Sequence, residues 1–329
     1  MLRIGIFGAG HLGKIHIQQW LDIDQISISG FYEPDDANAA EAISRFNIKR
    51  YDSIDLLIQD ADAIDIVCTT TAHYDLARRA FLAGRHVFIE KPLAQTLEEA
   101  KELVDLAKEA GVKCQVGHVE RYNPALLALG NIHLRPMFIE AHRLAQFHTR
   151  GTDVSVVLDL MIHDIDIVLH LVKSPVRRIS ASGVSVLNET ADIVNARIEF
   201  DNGCVANLTA SRLSMKRMRK MRLFQRDAYI GIDFLDKKAE IIRLKDDIGV
   251  PHGELDIPIE LSNGDKKVIS VDLPDVAPNN AIKMELTEFV NAIINDLPPR
   301  VNIYDGFLAM DIAHQILKKM SLHQEQHNV

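Results

Sequence analysis

Over the first 120 residues, short β-rich apolar runs alternate with stretches whose apolar positions recur at helical spacing. Residues 3–8, 26–32, 63–69, 86–90 and 113–117 read as strands, with a weaker one near 49–52. The clearest helix covers 96–110: Leu97, Ala100, Leu103, Val104 and Ala107 form an apolar stripe, and Gly111 stops it. This alternation predicts βαβ units around a parallel sheet. After about residue 120 the pattern changes. A long helix over 154–172 precedes consecutive strands over 176–186, 192–200, 203–211, 218–225, 228–235 and 239–244, with Asp201-Asn202-Gly203 as a hairpin turn. Two helices, 281–296 and 305–320, follow. The expected fold class is α/β. A domain over 1–120 built on a parallel sheet leads into a C-terminal α+β domain over 121–329, built on a large, mostly antiparallel sheet.

The first strand runs directly into Gly8-Ala9-Gly10-His11-Leu12-Gly13, which opens a helix, and Glu33 follows about twenty positions later at the end of the second strand. Gly8 suits the tight turn, Gly10 the approach of backbone to a pyrophosphate, and Gly13 close helix–strand packing. The helix N-terminus offers unpaired N–H groups to phosphates. Glu33 can accept hydrogen bonds from a ribose diol. The alternative is a glycine-rich turn that binds nothing. A carboxylate at 33, with Asp35 and Asp36 beside it, repels a 2′-phosphate, so NAD is favoured over NADP; Lys14, Arg45 and Arg50 are the cations that could compensate.

Composition narrows the class further. The chain has 329 residues, 47% hydrophobic and 25% charged, as ordinary globular proteins do. A net charge of −9 disfavours nucleic acid or an anionic membrane as partner. Three widely spaced cysteines, Cys68, Cys114 and Cys204, supply neither a zinc motif nor a disulfide framework. No leader-like segment or membrane span is expected, and the compartment implied is the cytoplasm.

Two segments carry candidate chemistry. Glu90 and Lys91 leave the carboxyl end of a predicted parallel strand, the side on which ligands of such sheets bind. Burial and repulsion from a cationic nicotinamide would favour the neutral lysine amine, which suits proton transfer; a surface lysine on a loop is the other reading. On the 154–172 helix, Asp159, His163, Asp166 and His170 share one face at i, i+4, i+7 and i+11. His163 could move a proton with Asp159 orienting it, the four could ligate a metal, or His163 could simply be hydrogen-bonded between domains.

Together, the GAGHLG fingerprint, the run Ala83-Gly84-Arg85-His86-Val87 into Glu90-Lys91-Pro92, and the Asp159-x-x-x-His163-x-x-Asp166 helix resemble the Gfo/Idh/MocA family. The resemblance spans nearly the whole chain. It implies an N-terminal Rossmann domain with a doubly wound parallel sheet, NAD(P)-dependent chemistry at a sugar or polyol carbon, and an open second-domain sheet used to form a homodimer or homotetramer; no metal is expected, since one helix face supplies too little geometry for a site. By the same resemblance Lys91 and His163 transfer the proton and Asp159 orients or binds substrate. Gly8, Gly10, His11, Leu12, Gly13, Glu33, Thr69, Thr70, His73, Glu90 and Lys91 would line the cofactor. Thr69 stands where the family has proline, and Met161 where it has glycine. The segment Gly117-His118-Val119-Glu120-Arg121-Tyr122-Asn123-Pro124 resembles the nucleotide-sugar dehydrogenases of that family, including those oxidising the 3-hydroxyl of UDP-N-acetylglucosamine. There Arg121, Tyr122 and Asn123, with Asp159 and His163, would bind substrate, although Asn123-Pro124 is also a plain helix start. The resemblance leaves inositol-type polyol oxidation and non-catalytic NAD binding as alternatives. Residues 212–226 hold seven basic and no acidic side chains. They read either as a solvated strand edge or, with Arg121, as an anchor for an anionic substrate.

Overall fold

The computed structural model describes residues 1–130, 132–147, 154–247 and 255–327. The chain forms two compact units, Met1–Tyr122 with Asn280–Asp311, and Asn123–Asn279 with Ile312–Val329. The first crossing lies two residues beyond the predicted division at 120/121. The larger difference is at the C-terminal end, where residues 280–311 belong with the Rossmann unit rather than with the second domain.

The first unit begins with β1 (Leu2–Phe7), α1 (His11–Leu21), β2 (Ile26–Tyr32), α2 (Asp36–Phe46), α3 (Ile54–Asp60) and β3 (Ala63–Ile66). It continues with α4 (Thr70–Leu82), β4 (His86–Glu90), α5 (Leu97–Ala110), β5 (Cys114–Gly117) and a 3-10 turn, Val119–Tyr122. Its five strands lie in the order β2-β1-β3-β4-β5, all parallel. The strand order reverses at β1, which creates the crevice that ligands of open α/β sheets occupy. The weak strand near 49–52 is only a single bridge between Phe31 and Arg50. Helix α5 starts where its sequence says it should: Thr96 and Glu99 form a capping box, and Gly111 ends it at φ 64°. One face of the sheet, carrying Ile4, Ile6 and Phe88, packs in a common core with Ile17 and Trp20 of α1.

The second unit contains α6 (Pro124–Leu127), β6 (Phe138–Leu144), a π-helical turn at Val157–Met161 and α7 (Ile162–Val172). Then come β7 (Val176–Val184), β8 (Ile193–Phe200), β9 (Val205–Ser211), β10 (Met218–Gln225), β11 (Ala228–Asp233), β12 (Lys238–Asp246), β13 (Ile257–Glu260) and β14 (Lys266–Asp272). They build a nine-stranded sheet, β13-β14-β12-β11-β10-β6-β9-β8-β7, antiparallel except for the β6–β9 pair. Inward positions such as Ile139, Val194, Ala196, Leu208, Met221 and Leu223 are buried. The opposite face is a polar ladder, with Asn195 bonded to Thr209 and Arg222 to Glu140. Because β10 sits between β6 and β11, the basic run is not a strand edge. That expectation is corrected: the edges are β13 and β7, and Lys220 and Arg222 pair across strands with Asp233 and Glu140.

The chain closes with α8 (Ala281–Ile294) and α9 (Ile303–His327). Leu286, Phe289 and Val290 of α8 join the core beneath α1, and the Phe289 ring meets Phe88 edge-on at 5.9 Å. This apolar stripe is why α8 returns to the first unit.

Candidate active site

Three glycines of the first loop meet three different demands. Gly8 has φ +106°, and a Cβ there would lie 2.8 Å from the Val67 carbonyl oxygen. A Cβ on Gly13 would fall 2.2 Å from the Gly8 carbonyl oxygen, so helix and loop touch only because no side chain intervenes. A Cβ on Gly10 meets nothing within 4 Å. Gly10 is also the N-cap of α1 and gives it no side-chain cap. The first-turn N–H groups, which a helix cannot satisfy internally, therefore open onto space an anion can enter.

That space is a cavity of about 430 Å³ at the carboxyl ends of the strands. Gly8, Gly10, His11, Leu12, Glu33 and Thr69, expected from the sequence to meet a cofactor, are among its lining residues. Gly13, Thr70, His73, Glu90 and Lys91 lie outside its lining. The Glu33 carboxylate accepts the Ala9 N–H at 2.7 Å and the Asp35 N–H at 3.0 Å, so it sits within the loop and retains lone pairs for a diol. The three cations that could receive a 2′-phosphate are engaged elsewhere. Lys14 pairs with Glu41, Arg50 bonds Asp36 and the Glu33 carbonyl, and Arg45 lies over the Phe46 ring. The pocket fits a dinucleotide without that phosphate.

Beyond the cavity, the Glu90–Pro92 turn is fixed from several directions. Glu90 Oε2 accepts the Lys91 backbone N–H at 3.2 Å. A Cβ on Gly117 would lie 2.7 Å from Glu90 Oε1, so the neighbouring strand must carry glycine there. The Lys91–Pro92 bond is cis. His73 is buried, with Nδ1 2.9 Å from the Pro92 carbonyl oxygen and Nε2 3.3 Å from that of Cys68. Burial pushes its pKa down, so the ring is neutral and has one N–H to donate. The shorter contact assigns that proton to Nδ1. His73 thus ties α4 to the turn after β4 rather than facing the cavity. Burial, with help from Glu33 and Asp65, pushes the Cys68 thiol up to about 11, which leaves it unreactive.

In the second unit Asp159 lies in the π-helical turn and His163 in the first turn of α7, both half-buried. The wider turn interrupts the predicted continuous helix at the candidate catalytic residues. Along the predicted stripe, Asp166 is buried and His170 half-buried. Beside them Asp164 receives a two-pronged ion pair from Arg143 at 3.0 and 2.9 Å, which anchors α7 on β6.

Both halves of the chain match one family. Residues 2–118 match an oxidoreductase family with an NAD-binding Rossmann fold, and residues 128–229 match the GFO/IDH/MocA C-terminal domain. The chain belongs to the GFO/IDH/MocA oxidoreductases. It is an NAD-binding enzyme of that family. It is 34% identical to UDP-N-acetylglucosamine 3-dehydrogenase of Acidithiobacillus ferrooxidans, over 90% of each chain. A solved structure of the enzyme so named superimposes with a TM-score of 0.86 at 32% identity, over 97% of each chain. Bacillus subtilis scyllo-inositol 2-dehydrogenase (NAD(+)) is 29% identical over 65% of this chain and 68% of its own. The Lactobacillus casei scyllo-inositol dehydrogenase with NAD(H) and scyllo-inositol bound shares the fold, with a TM-score of 0.75 at 20% identity over 98% of each chain.

Within this GFO/IDH/MocA chain, the 118–124 segment is more deeply built in than its sequence suggests. Arg121 is buried and faces Asp305 at 3.7 Å. Tyr122 is fully buried, with the Arg300 guanidinium 5.2 Å from its ring, and burial together with Glu285 pushes its phenol up. Asn123 caps α6 through the Ala125 N–H and donates to the Phe234 carbonyl, both at 3.0 Å. Its amide does what a helix start requires.

Sequence reasoning missed a polar seam under the Rossmann sheet. Asp65, fully buried on β3, accepts from Trp20 Nε1 at 2.7 Å and from His16 Nδ1 at 3.0 Å. The other ring nitrogen of His16 lies 3.3 Å from Glu90 Oε1. Burial opposes charge on His16, but Asp65 and Glu90 outweigh it and hold the imidazole protonated. The signal was present: an aspartate in the middle of the apolar run 63–66, and a histidine four residues before Trp20.

Proposed function

We propose that the chain is an NAD-dependent dehydrogenase of nucleotide sugars, acting on a sugar CH–OH group with a UDP-N-acetylhexosamine as the substrate class. The observation that carries this reading is the similarity to UDP-N-acetylglucosamine 3-dehydrogenase over nine-tenths of both chains.

NAD, when bound, supplies the acceptor for the hydride that leaves the carbinol carbon. The chain's own residues bind, orient and move the proton. Gly10 and the α1 N-terminus hold the anionic centre of the cofactor, and Glu33 holds its ribose. His163, aided by Lys91, accepts the hydroxyl proton, and Asp159 orients His163 or the substrate. Thr69, Thr70, His73 and Glu90 shape the cofactor side, His73 and Glu90 by fixing the turn that carries Lys91. Arg121 brings positive charge to an anionic substrate, supported by buried Tyr122 and Asn123. Lys216, Arg217 and Arg219 are exposed, and of these Arg217 suits a pyrophosphate through its planar fork.

A panel of UDP-N-acetylglucosamine, other nucleotide sugars, free sugars and inositols, read by NADH formation, tests the reading. UDP should compete with substrate, salt should weaken binding, and Arg217→Ala should raise KM more than it lowers kcat. Efficient turnover of an inositol with no effect of UDP would replace it with the second reading, a polyol dehydrogenase, which the inositol-specific relatives favour.

The same reading includes a cytoplasmic protein that assembles as a homodimer or homotetramer through the polar face of the nine-stranded sheet. Light scattering tests the assembly: a monomer at all concentrations removes it. No helix among the described residues is long and apolar enough to cross a membrane.

A further inference from the structure

Glu285, on α8, is fully buried, and among the described residues neither of its carboxyl oxygens has a hydrogen-bond partner. One of its carboxyl oxygens, a carboxylate oxygen of Glu90 and a ring nitrogen of His16 all lie within 4.8 Å of one another. The three residues come from α8, β4 and α1, and meet in a core otherwise formed by Ile4, Ile6, Phe88 and Phe289. Gln115, beside them on β5, donates to the Glu285 backbone carbonyl at 2.7 Å and so fixes the helix at this point. An apolar core does not need this seam, and its outer end is the Glu90 carboxylate that holds the Lys91 main chain.

We propose that His16 and Glu285 are positioning residues for Lys91: the His16 ring, 3.3 Å from Glu90 Oε1, orients the Glu90 carboxylate whose other oxygen accepts the Lys91 backbone N–H, and Glu285 closes the same group from α8. The role rests on the proton-transfer function given to Lys91 above.

The chemistry of the seam specifies the state of each member. Asp65 on β3 and Glu90 on β4 face His16, which is therefore the cation of the group. An ionised Glu285 would add a third buried anion with no donor of its own. Burial, and next the charge of Glu90, push its carboxyl well above the ordinary 4.5, so it keeps its proton. A neutral Glu285 leaves the Glu90 carboxylate to the His16 imidazolium, whose Nε2 lies 3.3 Å from it. From the 3-10 turn, Tyr122 also faces Glu285 and is held neutral.

Three variants and Lys91→Ala test this. Glu285→Gln keeps volume and a donor, and should hold kcat within about threefold of wild type. Glu285→Leu removes the polar side chain beside Glu90, and should lower kcat at least about tenfold, shift the pH profile of kcat, and leave the NAD Kd within about twofold, the size of change that loosening one contact of a charged group brings. His16→Ala should shift the pH profile in the same way. Wild-type kcat and pH profile in Glu285→Leu, beside an inactive Lys91→Ala, would overturn the positioning role and leave the proposed reaction standing. A fully active Lys91→Ala would overturn both.

Folding provides an independent measurement if Glu285→Leu is unstable. A carboxyl whose folded pKa is raised contributes full stability below its unfolded value, near 4.5, and loses it as pH rises towards the folded value. The Tm of Glu285→Gln should thus gain on wild type by about 2–4 °C between pH 4 and pH 8. Infrared spectra of wild type at neutral pH should contain a protonated-carboxyl band that Glu285→Gln lacks. A pH-independent Tm difference, no such band, or a stoichiometric metal ion retained by the purified protein would each overturn the neutral acid.

Discussion

Glu33 and Ala9 are joined by a 2.7 Å hydrogen bond from the Ala9 backbone N–H to the Glu33 carboxylate. The acidic residue proposed to receive a ribose diol therefore also holds the glycine loop against β2. Cofactor choice and loop geometry are one feature here, and a change at 33 affects both.

NAD should bind more tightly than NADP, and Glu33→Ala should weaken NAD at least about tenfold while narrowing the preference, since a charged acceptor is lost from both loop and ligand. Calorimetric titration of both cofactors checks this. Tighter NADP binding to the wild-type protein would be the contrary result.

The two inner glycines should fail in different ways. Gly13→Ala drives a Cβ to within 2.2 Å of backbone and should destabilise the fold by about 2–4 kcal/mol or more. Gly10→Ala meets no atom and should keep the wild-type Tm while losing NAD affinity. Thermal unfolding with and without NAD separates them, and a Gly10→Ala protein with full affinity would contradict the loop's role.

His163→Ala should lower kcat by about 10²–10⁴-fold and leave the NAD Kd nearly unchanged, the range expected when a general base is removed. Steady-state kinetics with a cofactor titration measure both. Unchanged turnover would make His163 a structural residue of α7.

Asp192 supplies an acid-sensitive joint in the second unit. Burial works against its charge, but the N–H groups of Leu187, Val186 and Asn188 and the Asn188 amide outweigh it and hold the carboxyl at about 2. Its ordinary value is 3.8, so the stabilisation is complete above that pH and disappears as pH falls through about 2. Asp192→Ala should cost about 2 kcal/mol at neutral pH, with the difference shrinking in acid. Urea unfolding at pH 7 and pH 3 is the check.

Much of this was legible along the chain, and what was legible was local. The strands 26–32, 86–90 and 218–225 stand where their patterns place them, and Thr96 and Gly111 bound α5. The glycine loop, Glu33 and Lys91 stand out along the chain because each has a chemical reason to follow its own strand. β6 escaped because its inward positions are Ile139, Ala141 and Arg143, and an inward arginine breaks the apolar alternation. β13 and β14 escaped because they are mostly exposed and carry little apolar signal.

The sequence by itself determined the Rossmann unit, its cofactor and the change to consecutive strands, since these depend on spacing within one element or between neighbours. Only the tertiary structure decided that β10 is an interior strand, that α8 returns beneath α1, and that His16, Asp65, Glu90 and Glu285 form one buried seam. The reason is physical. Periodicity reports which face of an element is buried, but the partner of a buried polar group is chosen by packing. Here the buried Gln115 amide finds its acceptor 170 residues away, at the Glu285 main-chain carbonyl.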